Sequence, residues 1–213
     1  VTTLANALAT TGPVEVHSGE LALGANHRIP DSAPLMVKPG GTFNTATFGE
    51  TVGKLIMNGG VIKGTGTLTA SSIEWWGGIV TAPVSSNGNF VKKGGTDWSR
   101  PANLSYSGDT VIESGNLAFQ PGGTSLPGTG RVMLANGTGL NLNGASSSIS
   151  QLDVTGNATL TGGTLAVTQS LAGSGTLTNS GNLNLSGVTT ISQTVSLAST
   201  GTLTLPTGAW SVK

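Results

Sequence analysis

Enzymes that cleave acidic polysaccharide on a β-helix need clustered carboxylates, commonly with calcium and a basic residue, for general acid–base work. The acidic residues here are Glu15, Glu20, Asp31, Glu50, Glu74, Asp97, Asp109, Glu113 and Asp153, and no two are closer than four positions. Between Val132 and Val212 the only charged residue is Asp153, so that stretch can host neither acid–base chemistry nor a carboxylate metal cage. The best remaining cluster is Asp97, Arg100, Asp109 and Glu113, which reads as solvated surface pairs. His17 and His27 lie ten apart without a third ligand at metal spacing and read as loop or core histidines. Cysteine is absent, which removes thiolate metal sites, disulfides and cysteine nucleophiles. Catalytic, metal and cofactor sites are therefore expected to be lacking.

The aromatic residues offer a different chemistry. Trp75, Trp76, Trp98 and Tyr106 fall close together with Lys92, Lys93 and Arg100. Flat rings with cations beside them suit a carbohydrate or protein partner; equally, they suit the filling of a widened coil. Trp75 and Trp76 point to opposite faces of any strand, so one of them is expected outside.

What must position these residues follows from composition. Gly, Thr, Ser and Asn number 34, 31, 23 and 15 in a chain of 213, almost half of it, while charged residues are 8 % and aromatics 4 %. Helical bundles and doubly wound α/β enzymes favour Ala, Leu, Glu and Lys instead. With 36 % hydrophobic residues and zero net charge, disorder of the charged kind is not expected. Nine basic against nine acidic residues give no electrostatic handle on nucleic acid or anionic membranes. The sequence shows no apolar run long enough for a membrane span and no charged-then-apolar leader. It reads as a processed or excerpted part of an exported protein. Four Asn-x-Ser/Thr triplets (Asn103, Asn136, Asn157, Asn184) are what such a composition yields by chance.

A Gly-x-Leu phrase recurs, at Gly19-Glu-Leu-Ala-Leu23, Gly66-Thr-Leu-Thr69, Gly115-Asn-Leu-Ala-Phe119 and Gly163-Thr-Leu-Ala-Val167. It returns at Gly175-Thr-Leu-Thr178, Gly181-Asn-Leu-Asn-Leu185 and Gly201-Thr-Leu-Thr-Leu205, with an echo at Gly139-Leu-Asn-Leu142. Gly115, Gly139 and Gly163 are evenly spaced, Gly175 follows at half that step, and Gly181 and Gly201 continue the series at uneven steps. Repeats of this size mark solenoids, and the alternation of leucine with Thr, Asn or Ala is that of strands with one buried face. The spacing predicts a right-handed parallel β-helix of about nine or ten coils, each of about 20 to 24 residues, forming a single domain over 1–213. Leu21, Leu55, Leu68, Leu117, Leu140, Leu152, Leu165, Leu177, Leu183 and Leu203 should point inward. Residues 1–30 read as an N-terminal cap containing a short helix over Thr2–Gly12, because Leu4 and Leu8 are four apart and Gly12 follows. Residues 73–108 read as an irregular coil. Laying Gly40 on Gly137 aligns 40–68 with 137–165 without a gap. The alignment matches Gly40/Gly137, Asn44/Asn141, Leu55/Leu152, Gly59/Gly156, Gly66/Gly163, Thr67/Thr164 and Leu68/Leu165, which predicts a duplication.

Phe90-Val-Lys-Lys-Gly-Gly-Thr, Asn103-Leu-Ser-Tyr-Ser-Gly-Asp-Thr-Val111 and Glu113-Ser-Gly-Asn-Leu117 resemble the autotransporter-associated β-strand repeat. Lys92, Gly94, Asn103, Tyr106, Gly108, Thr110, Gly115 and Leu117 fill that pattern, which runs from Phe90 to Leu117. One extra residue separates Asn103 from Tyr106, and Trp98-Ser-Arg-Pro101 replaces the usual Leu-Thr-Leu. The resemblance implies an extracellular bacterial β-helix of the kind found in adhesins, autotransporter passengers and surface fibres.

The expected function is a non-enzymatic extracellular structural β-solenoid, an adhesin shaft or a self-assembling surface-fibre subunit. Its partners are expected to be other copies of itself, end to end, or a surface glycan or protein, with no nucleic acid and no membrane insertion. The C-terminal coils carry almost no charge to repel another edge, so Leu203, Leu205 and Trp210 are the candidate association residues. A polysaccharide-processing enzyme using Asp97, Asp109 and Glu113 is the alternative. Thr-Leu-Thr phrases raise a third class, an ice-matching threonine ladder, but Asn182-Leu-Asn184 and Thr164-Leu-Ala166 interrupt it.

Overall fold

A computed structural model describes residues 1–95, 98–100, 103–119, 126, 130–192 and 196–207, with the backbone alone at 98–100 and 192. The described chain is all β, and its described strand pairings are parallel, which makes a β-solenoid. Its contacts divide into two compact units, one of 1–96 with 101–108 and one of 97–100 with 109–213.

In the first unit a residue and its partner one coil later stack directly, so each inward position forms a column. One column runs Leu35, Leu55, Ile73 and Phe90; beside it run Val16, Val37, Met57, Trp75 and Lys92. A second face stacks Leu21, Phe43, Ile62 and Val80. A third stacks Glu50, Leu68, Val84 and Leu104. These columns are the core, and Leu35, Phe43, Leu55, Ile62, Leu68, Ile73 and Phe90 are fully buried. Some coils are shorter than the sequence period implies: the path from Ile73 to its partner Phe90, or from Leu68 to its partner Val84, already completes one. Residues 73–80, 84–86, 90–92 and 104–106 are strands in this register, although 73–108 reads as irregular from the sequence.

The second unit repeats the plan. The strands Asn116–Phe119, Thr138–Asn141, Asn157–Thr161, Thr176–Asn179 and Ser196–Ser199 form a parallel sheet in which Leu117, Leu140 and Leu160 stack. Val132, Leu152, Leu171 and Ile191 form another column, and Ser147, Leu165, Leu183 and Leu203 a third. Of the ten leucines expected inside, eight are buried, whereas Leu21 and Leu203 are half-buried.

The expected N-terminal helix is not there. Thr2–Leu4 is a strand, pairing Thr2 with Leu21 and Leu4 with Leu23, and 5–12 contain no helix. Two leucines four apart are also met when one belongs to a strand and the next to a loop. Here Leu8 donates its N–H to the Arg28 carbonyl across the coil at 2.7 Å. β-Branched Thr2 and Thr3 suit the strand, whose unmet backbone groups Gly19–Leu23 satisfies.

The internal echo has matching geometry. Asn44 and Asn141 each accept, through Oδ1, the N–H two residues on (2.8 and 2.9 Å), and Ala46 and Asn143 both have positive φ (52° and 46°). Phe48 N–H then bonds Thr45 O at 2.9 Å, as Ala145 N–H bonds Leu142 O at 2.8 Å. An asparagine that takes up a turn N–H stabilises such a corner. Asn184 makes the same contact with Ser186 N–H at 2.9 Å.

Candidate functional site

The residues singled out for a ligand platform divide between core and surface. Trp75 is fully buried on the column between Met57 and Lys92, and Tyr106 is 7 % exposed. Phe90 stands between them, with ring centroids 6.5 Å from Trp75 and 5.1 Å from Tyr106. These rings fill coils. Lys92 is also fully buried, its Nζ donating to the carbonyls of Lys93 and Gly94 at 2.8 Å each. The corner after Phe90–Lys92, where Gly94 takes φ 78°, aims those carbonyls back at the ammonium. Trp98 and Arg100 belong to the other unit, and their side chains lie outside the described residues.

What remains at the surface is Trp76 with Lys93 and Lys54, gathered around the buried Glu74. Register brings them together: Ile56 pairs with Glu74, and Lys54 with Ser72. Trp76 is 43 % exposed and donates its indole N–H to Glu74 Oε1 at 2.7 Å. Lys54 bonds Glu74 Oε2, and Lys93 Nζ lies 3.5 Å from the same oxygen and 5.8 Å from the Trp76 ring centroid. Burial raises the Glu74 pKa, but the hydrogen bonds from Lys54 and Trp76 outweigh it, and the carboxyl titrates below its ordinary value. A carboxylate so held is a poor general acid. Its arrangement fixes the partly exposed indole with the Lys93 ammonium over its ring, a cation–π pair at the surface.

A second group escaped the sequence reading. His27, Asp31 and Glu50 bring one ligand atom each to within 4.8 Å of one another, the one such group of three among the described residues. His27 Nδ1 lies 4.0 Å from Asp31 Oδ1, and both side chains are largely exposed. Glu50 is buried, and its carboxylate accepts N–H bonds from Arg28 (2.7 Å), Ile29 (3.2 Å) and Thr51 (3.1 Å). It closes the 28–31 corner one coil away. Only the distance along the chain between Glu50 and Arg28 hides this from the sequence. Beside it, an open groove of about 350 Å³ is lined by Asp31, Thr51, Thr69, Ser71 and Asn87.

The remaining charges stack in columns. Asp109 accepts from Arg131 Nε at 3.2 Å and from Arg131 backbone N–H at 3.0 Å, and Arg131 reaches Asp153 at 3.4 Å. Asp97 lies outside the described residues, and Glu113 is exposed. Glu15 takes Lys38 at 2.7 Å and His17 at 2.6 Å; Glu20 takes Lys63 at 2.8 Å. The threonine ladder stops after one step: Thr159 stacks on Thr178, whose next partner is Ala198, and Thr164 stacks on Asn182. At the last described coil of the second unit, Ile191 is 41 % and Leu205 36 % exposed and Leu203 is half-buried; Trp210 lies outside the described residues.

Among the described residues no helix is long and apolar enough to cross a membrane. No protein-family model matches the chain, and neither does any curated protein or solved structure.

Proposed function

We propose that this chain is a non-enzymatic structural β-solenoid working outside the cell, a segment of an adhesin shaft or surface fibre like those built of autotransporter-associated repeats. The carrying observation is where the charges go. Lys92 and Glu50 hold backbone corners, and Glu74, Glu15, Glu20 and Asp109 are each engaged by cations. Ionic groups spent on corners and columns serve stiffness, since each coil is stabilised only by its neighbours. The half-exposed apolar column at Leu203, with Ile191 and Leu205, favours further strand addition by backbone hydrogen bonds. Trp76 with Lys93 is the surface offered to a glycan or protein along the shaft.

Light scattering and electron microscopy at rising concentration test assembly. Open head-to-tail filaments are expected of a fibre subunit; a stable monomer at high concentration restricts the reading to a shaft. A panel of anionic and neutral glycans tests the enzyme reading: glycan turnover lost in Asp109→Asn would overturn a structural role.

A further inference from the structure

The sequence holds four Asn-Gly pairs, at Asn58-Gly59, Asn87-Gly88, Asn136-Gly137 and Asn143-Gly144. Each is chemically poised for the same reaction, since glycine leaves the following backbone nitrogen unobstructed. The fold treats them unequally. Gly88 N–H donates to Ser86 Oγ at 3.1 Å, while the flanking Asn87 and Gly88 carbonyls accept bonds from Ser107 Oγ and Gly108 N–H. Gly137 N–H donates to Asn157 O at 2.6 Å, and the Asn136 amide oxygen accepts Asn157 N–H at 2.9 Å. The Asn143 amide nitrogen donates to Phe119 O at 3.0 Å, and its backbone N–H is held by Asn141. In these three, the attacking nitrogen or the leaving amide is already engaged.

Asn58 differs. It is exposed, and among the described residues no side-chain hydrogen bond engages its amide. It also sits where the register between Glu50–Lys63 and Leu68–Val80 breaks, on both sides of the Asn58–Gly77 pair, before resuming at Val61. Gly59 has φ 87°, a conformation open to glycine. A bulged, exposed corner has the backbone latitude that a closing ring needs.

We propose that Asn58 is a site of spontaneous covalent modification, the first residue of this chain to deamidate. The Gly59 backbone nitrogen attacks Asn58 Cγ, the bond from Cγ to the side-chain nitrogen breaks, and ammonia leaves with the proton from Gly59. The resulting succinimide adds water across one of its two imide C–N bonds, giving aspartate or isoaspartate at position 58. Either product adds a negative charge. Isoaspartate also lengthens the main chain by one methylene in the corner between the buried Met57 and Ile62. The modification thus dates the folded chain and loosens one corner.

The test is peptide mass mapping of the intact folded chain during incubation in warm, mildly alkaline buffer, with isoaspartate detected enzymatically. Asn58 is expected to convert several-fold faster than each of the other three, and that difference should vanish when the chain is unfolded in urea. Ser86→Ala, which frees the Gly88 N–H, should speed conversion at Asn87 and leave Asn58 unchanged. Faster conversion at Asn87, Asn136 or Asn143 in the folded chain, or equal rates at all four, would overturn the proposal. So would an unchanged rate at Asn87 in Ser86→Ala.

Discussion

Leu165, Leu183 and Leu203 occupy successive rungs of one inward column, so truncating them compares like with like. Leu165 is fully buried between Ser147 and Leu183, whereas Leu203 stacks on Leu183 and is half-buried. Removing a fully buried leucine side chain costs about 2–5 kcal/mol, from lost transfer energy and the cavity left behind. At Leu203 part of the side chain is already in water, so truncation there removes less burial than at Leu165. A partial share of a burial worth about 1.5–3 kcal/mol gives about 1–2 kcal/mol for Leu203→Ala. The midpoint of urea unfolding at constant slope measures both. Leu165→Ala should lower it about twofold more than Leu203→Ala. Equal costs would refute the assignment of a graded core, and a larger cost at Leu203 would invert it. If a second copy covers the Leu203 rung, the cost of Leu203→Ala should grow with protein concentration, because association stabilises by mass action.

Three further outcomes are expected. Lys92→Met keeps most of the buried volume but strips the donor from the carbonyls of Lys93 and Gly94, so it should destabilise by about 1–3 kcal/mol in the same assay. Gly173→Ala should destabilise by more than about 1 kcal/mol, because φ is 108° and the added Cβ would sit 2.0 Å from the Val154 carbonyl oxygen. Glu74, whose folded pKa lies below its unfolded value, contributes stability that is present above the unfolded carboxylate pKa of about 4 and lost as pH falls through the lower folded one. Acid titration of stability should therefore be shallower in Glu74→Gln over that window.

The solenoid was legible because its signal repeats. Leucines such as Leu68, Leu177 and Leu183 sit between pairs of Thr or Asn, and eight of the ten leucines assigned inward are buried. Within the internal echo, matched by glycines and leucines as well, Asn44 and Asn141 close equivalent corners. Glu50 and Lys92 were not legible as core residues. Each occupies an inward column position, and what makes that tolerable is a set of backbone groups folded around the charge. Backbone partners leave no trace in residue type. The aromatic cluster was half legible: adjacency predicted that Trp75 and Trp76 face opposite ways, as they do, but Tyr106 and Lys92 turn inward with Trp75. The Leu4–Leu8 spacing misled because a single i, i+4 pair carries little periodic information, and the strand Thr2–Leu4 is fixed by its partner Gly19–Leu23 in the following coil.

The central claim is that coils stack in parallel, residue on equivalent residue, to make a stiff element. A chain without cysteine allows spin labels to be placed at Thr159→Cys and Thr178→Cys with no background. Thr159 and Thr178 are exposed, outward-facing and paired directly across one coil, which sets their backbones about 4.8 Å apart. Continuous-wave electron paramagnetic resonance of the doubly labelled chain should show strong dipolar broadening that is absent from either single label and lost on unfolding. A double-label spectrum equal to the sum of the singles in the folded chain would contradict the stacked solenoid and the structural role built on it.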